Sequence, residues 1–210
     1  MGDLKNAKIF GGIGSILALV GPFIPMAGGI LALIGLILVI IAVYYIGTVT
    51  KDGSIFKNYL LSFVLQIVAV VAFFVIMVVA VGASIGGSIF DLQNMLESQA
   101  GVTDPTAIFS NIGALIGGCC VAGLVAWILT ILSALFLKKS FTSIKDHTKV
   151  GIFGTTGLVY LIGAALLIIG IGAIVLLIAL ILQIVAFFSL PDQPPAAAPT
   201  AAPETPIESA

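Results

Sequence analysis

All eight basic residues of this chain are lysines, and they fall in three short stretches: Lys5 and Lys8, Lys51 and Lys57, and Lys138, Lys139, Lys145 and Lys149. Around them run four segments without a single charge, 9–50, 58–90, 105–137 and 150–191. These are 42, 33, 33 and 42 residues long. About 20 apolar residues cross the hydrocarbon core of a bilayer. Only 8% of the chain is charged, against about 25% in soluble domains, so a soluble core of this size cannot hold all four segments. The implied fold class is all-α: a polytopic transmembrane helix bundle over 1–190, in the cell membrane. Its first partner is the lipid bilayer. A net charge of -1 leaves no footprint for nucleic acid.

The long segments decide the helix count. A straight helix of 42 residues measures about 63 Å, twice the ~30 Å core, and tilt does not absorb that excess. Each must double back. Gly21-Pro22-Phe23-Ile24-Pro25 marks the first turn, because proline removes a backbone donor and clashes with the preceding turn. Gly170-Ile171-Gly172 marks the second, a weaker signal in an apolar helix. The expected helices lie near 4–20, 27–46, 59–81, 107–137, 152–169 and 173–190. The order is hairpin, single span, single span, hairpin. All eight lysines then lie on one side, and the 84–106 loop, with Asp91, Glu97 and Asp104, lies alone on the other. The positive-inside rule makes both termini cytoplasmic. Four full spans with two shallow dips satisfy the lysines equally well.

The 84–106 loop carries Ile85, Ile89, Leu92 and Leu96 at helical spacing, which reads as a short amphipathic helix near 85–98 on the membrane surface. Residues 138–150 read as a basic anchoring loop. The Pro- and Ala-rich stretch 191–210 reads as a disordered tail. Ile9-Phe10-Gly11 matches Ile152-Phe153-Gly154 at an offset of 143, and the same offset pairs Gly14 with Gly157 and Gly29 with Gly172. That register suggests a duplicated hairpin.

Glycine supplies the packing signal. Gly113 and Gly117 form GxxxG, extended by Gly118, Ala122 and Gly123, and Gly82 and Gly86 form a second pair. Small residues at that spacing let helices approach closely. Helix 107–137 is therefore expected at the centre of the packing, and Gly117→Leu is expected to disturb the bundle or its oligomer. Cys119 and Cys120 read as small packing residues.

Chemistry-bearing side chains at depth are few. No ionisable acid or base stands in the four apolar segments, where such groups usually mark ion or proton pathways. Gln66, Tyr160 and Gln183 are the conspicuous intramembrane polar residues, read first as interhelical hydrogen-bonding groups. Ser15, Thr130 and Ser133 are expected to bond back to their own helices, and Trp127 to pack against neighbouring helices. His147, beside Asp146, reads as a solvated loop residue. No metal set, catalytic motif or cofactor motif is present in the sequence.

Several of these stretches also resemble a known family. They are Lys8-Ile9-Phe10-Gly11-Gly12-Ile13-Gly14-Ser15-Ile16-Leu17, the Pro22–Pro25 turn with Gly28-Gly29, Ile55-Phe56-Lys57-Asn58, Gly157-Leu158-Val159-Tyr160-Leu161-Ile162-Gly163-Ala164 and Val185-Ala186-Phe187-Phe188-Ser189. Together they resemble the mostly archaeal membrane proteins of domain-of-unknown-function family 996. The resemblance implies a small multi-span membrane protein and carries over no catalytic or binding residue. The leading expectation is a non-enzymatic scaffold or interaction component, with a homo-oligomer or other membrane proteins as partners. The alternative is a small channel or transporter for an uncharged or weakly polar solute, with an intramembrane enzyme third. A path lined by Gln66, Gln183, Tyr160 or Thr156 favours transport; a dry, packed interior favours the scaffold.

Overall fold

Proline and glycine turn the chain where the sequence analysis placed them. In the computed structural model, α1 (Lys5–Val20) ends in a single 3-10 turn, Gly21–Phe23, with Pro22 inside it. Met26 takes a left-handed backbone, and α2 (Gly28–Val49) returns antiparallel to α1. At the other hairpin α5 (Gly151–Leu166) runs into a 3-10 turn, Leu167–Ile169. Gly170 follows at φ 81°, which favours glycine, and then α6 (Gly172–Phe188). The structure describes residues 4–98 and 105–193, and side chains within 4–82, at 113 and within 116–193.

The two middle helices differ from expectation. α3 spans Gly53–Ser98 and α4 spans Pro105–Thr148, about 69 and 66 Å long. The amphipathic stretch near 85–98 is thus the end of α3 rather than a separate helix, and the basic stretch 138–150 is helical up to Thr148. The physical reason is the absence of any breaker. No proline interrupts 53–98 or 106–148, and glycine inside an apolar helix is tolerated. Lysine is itself a good helix former, so charge ends the span without ending the helix. The part of the expected tail from 194 onward lies outside the described residues.

Each helix packs on its neighbours in sequence, and α6 packs back on α1, so the six close into a ring. Five helical stretches are long and apolar enough to cross a membrane: Lys5–Phe23, Gly28–Val49, Gly53–Gly82, Ile116–Thr148 and Gly151–Ile169. α6 is apolar and slightly shorter at 17 residues. Both hairpins are made of apolar arms of 16 to 22 residues.

The core sits at one end of the ring. Leu4, Val43, Ile46, Ile55, Phe141, Ile144, Phe153, Phe187 and Leu190 are fully or almost fully buried there. Phe141 forms edge contacts with Phe153 and Tyr160 and stacks with Tyr59, and Phe153 meets Phe187 at 5.3 Å between ring centres. Such aromatic pairs add about 0.5–1.5 kcal/mol each beyond their burial. This is also the lysine end, because α1, α3 and α5 begin there and α2, α4 and α6 finish there. The start of α1 and the stretch just after α6 meet at the same place: Leu4 N–H donates to the Asp192 carbonyl at 3.0 Å, and Lys8 pairs with Asp192 at 3.7 Å.

The close helix approaches are on the hairpins. A Cβ on Gly14 would lie 2.6 Å from the Gly35 carbonyl oxygen, and one on Gly35 would lie 2.5 Å from that of Gly14. Gly28 meets Gly21 and Gly172 meets Gly163 as tightly, and Gly11 receives the ring of Phe187. On the α3–α4 pair, among the described residues, Gly118 lies in close contact with Ala80 and Ala122 is buried, while an added Cβ on Gly82, Gly113, Gly117 or Gly123 meets nothing within 4 Å. The side chain position of Gly86 lies outside the described residues. The hairpin repeat is only approximate: Gly14 faces α2, whereas its match Gly157 faces Lys138 and Phe141 of α4.

Candidate functional site

Above the aromatic core the ring is hollow. A cavity of about 440 Å³ is lined from all six helices: Ala18 on α1, Leu36 and Val39 on α2, Tyr59, Ser62, Phe63 and Gln66 on α3, Thr130, Ser133, Ala134 and Leu137 on α4, Tyr160 and Ala164 on α5, and Leu176, Leu180 and Gln183 on α6. Leu167, in the α5–α6 turn, completes the wall. Most of that surface is hydrocarbon. The polar side chains come from four of the helices: Tyr59, Ser62 and Gln66 from α3, Thr130 and Ser133 from α4, Tyr160 from α5 and Gln183 from α6.

All three intramembrane polar residues singled out in the sequence, Gln66, Tyr160 and Gln183, line this one cavity. Two of them are tied into its wall. Tyr160 Oη–H donates to Gln183 Oε1 at 2.9 Å, and Gln183 Nε2–H donates to Ser15 Oγ at 2.9 Å. This relay joins α5, α6 and α1 across the hollow, and Gln183 is only 7% exposed. Gln66 is different. Its amide makes no hydrogen bond among the described residues and is exposed. An amide held away from water without a partner costs about 1–3 kcal/mol. Thr156 is absent from the lining; its hydroxyl is buried and donates to the Ile152 carbonyl.

Two serines also depart from expectation. Ser133 donates to the Ser62 carbonyl at 2.8 Å, with the two hydroxyls 3.0 Å apart, so it clamps α4 to α3 instead of bonding along its own helix. Ser15 accepts the Gln183 bond described above. Thr130 does bond back, to Ala126. A sequence offers no signal for which of these small hydroxyls crosses between helices, because the choice depends on helix rotation.

A second cavity of about 580 Å³ lies farther from the lysine end, between α4 and the α5–α6 turn. Phe73, Cys119, Cys120, Gly123, Trp127 and Ile168 line it, and it shares Thr130 and Leu167 with the central cavity. These two residues form the partition between the hollows. Trp127 braces it: its indole N–H donates to the Ala164 carbonyl at 3.0 Å, where α5 gives way to the 3-10 turn. Both cysteines are free and exposed.

At the lysine end, His147 meets Asp52 of the α2–α3 turn at 3.8 Å, not its neighbour Asp146. Asp52 accepts from Ser54, and that hydrogen bond, aided by His147, holds its carboxyl below the ordinary aspartate range against the opposing effect of burial. No group of three or more metal-ligating side chains occurs among the described residues.

A family model described as a protein of unknown function, DUF996, matches residues 31–181, from within α2 to within α6. The chain belongs to that family. The DUF996 match takes in Gln66, Tyr160 and both cavity-partition residues, and stops short of Gln183. A 190-residue stretch is 37% identical to "Uncharacterized protein MJ1644" of Methanocaldococcus jannaschii, covering 90% of this chain and 94% of that relative. The similarity therefore extends over most of the chain. No solved structure matches the chain.

Proposed function

We propose that this DUF996 protein is a multi-pass protein of the cell membrane that binds a small uncharged, largely apolar solute in its central cavity and passes it across the bilayer. Both termini and all eight lysines face the cytoplasm. The observation that carries the reading is Gln66: an amide with no hydrogen bond among the described residues, lining a mostly apolar hollow whose polar neighbours Thr130, Ser133, Tyr160 and Gln183 are hydrogen-bonded. Pockets for small molecules have this character, a mostly apolar wall with a few placed polar groups. The lining carries no acid or base, which suits a neutral solute. The activity is non-enzymatic facilitation.

A packed scaffold is the second reading, and the aromatic core at the lysine end supports it. The two separate in proteoliposomes loaded with a panel of small neutral solutes. Saturable uptake is expected for at least one, and Gln66→Leu is expected to reduce it at least tenfold while leaving thermal stability in detergent unchanged. Uptake that Gln66→Leu leaves intact rejects the role of the cavity, and no saturable uptake at all favours the scaffold.

A further inference from the structure

We propose that the outward face of α4 at the lysine end is a binding site for an anionic phospholipid. Helix rotation fixes which side chains are available there. Ser133 and Ser140 turn to α3, where they donate to the Ser62 and Ile55 carbonyls. Lys145 and Phe141 turn to α5, against Gly154 and Phe153. The remaining third of the helix, at spacings of three and four residues, carries Leu132, Leu135, Phe136, Lys139 and Ser143.

A hollow of about 560 Å³ lies along that third, lined by those five residues with Lys138 and Thr142. Its chemistry changes along the axis. Leu132 and Leu135 are exposed, and the apolar stripe continues below them through Ile128, Leu124 and Val121, all exposed. From Val121 to Leu135 is about 21 Å, the reach of one acyl chain. One to two turns above stand the ammonium groups of Lys138 and Lys139 and the Ser143 hydroxyl, donors a phosphate diester takes up, while the Thr142 hydroxyl already donates to the Lys138 carbonyl. Lysines at this depth attract anionic headgroups from the cytoplasmic leaflet. Asp146 stands on the same face, one turn beyond Ser143, and its carboxylate limits how far the headgroup extends. The proposal is independent of the central cavity, because this face points away from it.

The test is lipid binding by the full chain in detergent, followed by native mass spectrometry with phosphatidylglycerol and, separately, phosphatidylcholine. Phosphatidylglycerol is expected to bind at least ~10-fold tighter, and Lys138→Gln with Lys139→Gln to weaken it about 30-fold, at ~1 kcal/mol per lysine. Asp146→Asn is expected to tighten it, and Leu135→Asn to weaken both lipids. The control is Lys51→Gln with Lys57→Gln, which is expected to leave the preference intact. Equal affinity for the two lipids, or an equal loss from the control pair, overturns the proposal in favour of diffuse surface charge.

Discussion

Gln183 has the most demanding place of any residue. It satisfies the Tyr160 hydroxyl and contacts Ser15, so three helices depend on one amide. Gln183→Leu strands two buried polar groups and is expected to cost about 1–3 kcal/mol, read as a lower Tm in detergent. Tyr160→Phe removes one bond and leaves one acceptor, and is expected to cost roughly 0.6 kcal/mol, the mean for interhelical bonds. Asp52 gives a pH dependence. Its carboxyl is held below the ordinary range in the folded chain, so its contribution is complete above the unfolded-state value and is lost as pH falls through the folded one. Asp52→Asn is therefore expected to lower stability at neutral pH and to flatten the acid limb of a stability–pH curve. Gln66, Tyr160 and Gln183 were legible in the sequence because an amide or phenol in an uncharged apolar run stands out by chemistry alone. Their shared destination was not, since Gln66 and Gln183 are far apart in the chain. Ser15 and Asp52 were harder to read: Ser15 bonds to Gln183 of α6, and Asp52 meets His147 of α4 besides its near neighbour Ser54.

At the scale of the helix, the lesson lies in the glycines. GxxxG on α4 is the motif a reader notices, yet among the described residues an added Cβ on Gly113 or Gly117 meets nothing within 4 Å, while Gly14 and Gly35 press backbone against backbone. Gly14→Leu is expected to force α1 from α2 and to lower the melting temperature sharply. Gly117→Leu is expected to leave the monomer's melting temperature within error and to act only through any oligomer, resolved by size in detergent. Turns were readable where proline or paired glycines stand. The ends of α3 and α4 were not, because neither lysine nor isolated glycine stops a helix. Phe141 shows the cost of that misreading. Taken as part of a basic loop, it is in fact a fully buried core residue.

For the whole molecule, the lengths of the uncharged segments implied six helices and the lysine positions put the basic residues at one end, and the structure adds how they close. The sidedness of that end is an expectation to test. Membrane-impermeant amine reagents applied to intact cells are expected to spare Lys5, Lys51 and Lys149 alike, and thiol reagents applied from the same side to reach Cys119 or Cys120. Labelling of Lys5 without Lys51 would put the two ends of the first hairpin on different faces and break the ring topology. The cavity itself was beyond the sequence, since a void is set by how far six helices stand apart and no residue encodes that alone.

Leu4 and Asp192 are hydrogen-bonded neighbours. A closed circle whose beginning touches its finish has no privileged first segment. Ribosomal order is therefore a historical choice for this architecture, and a gene rearranged to start at α4 and stop after α3, with the old ends spliced, still encodes every contact between adjacent rods.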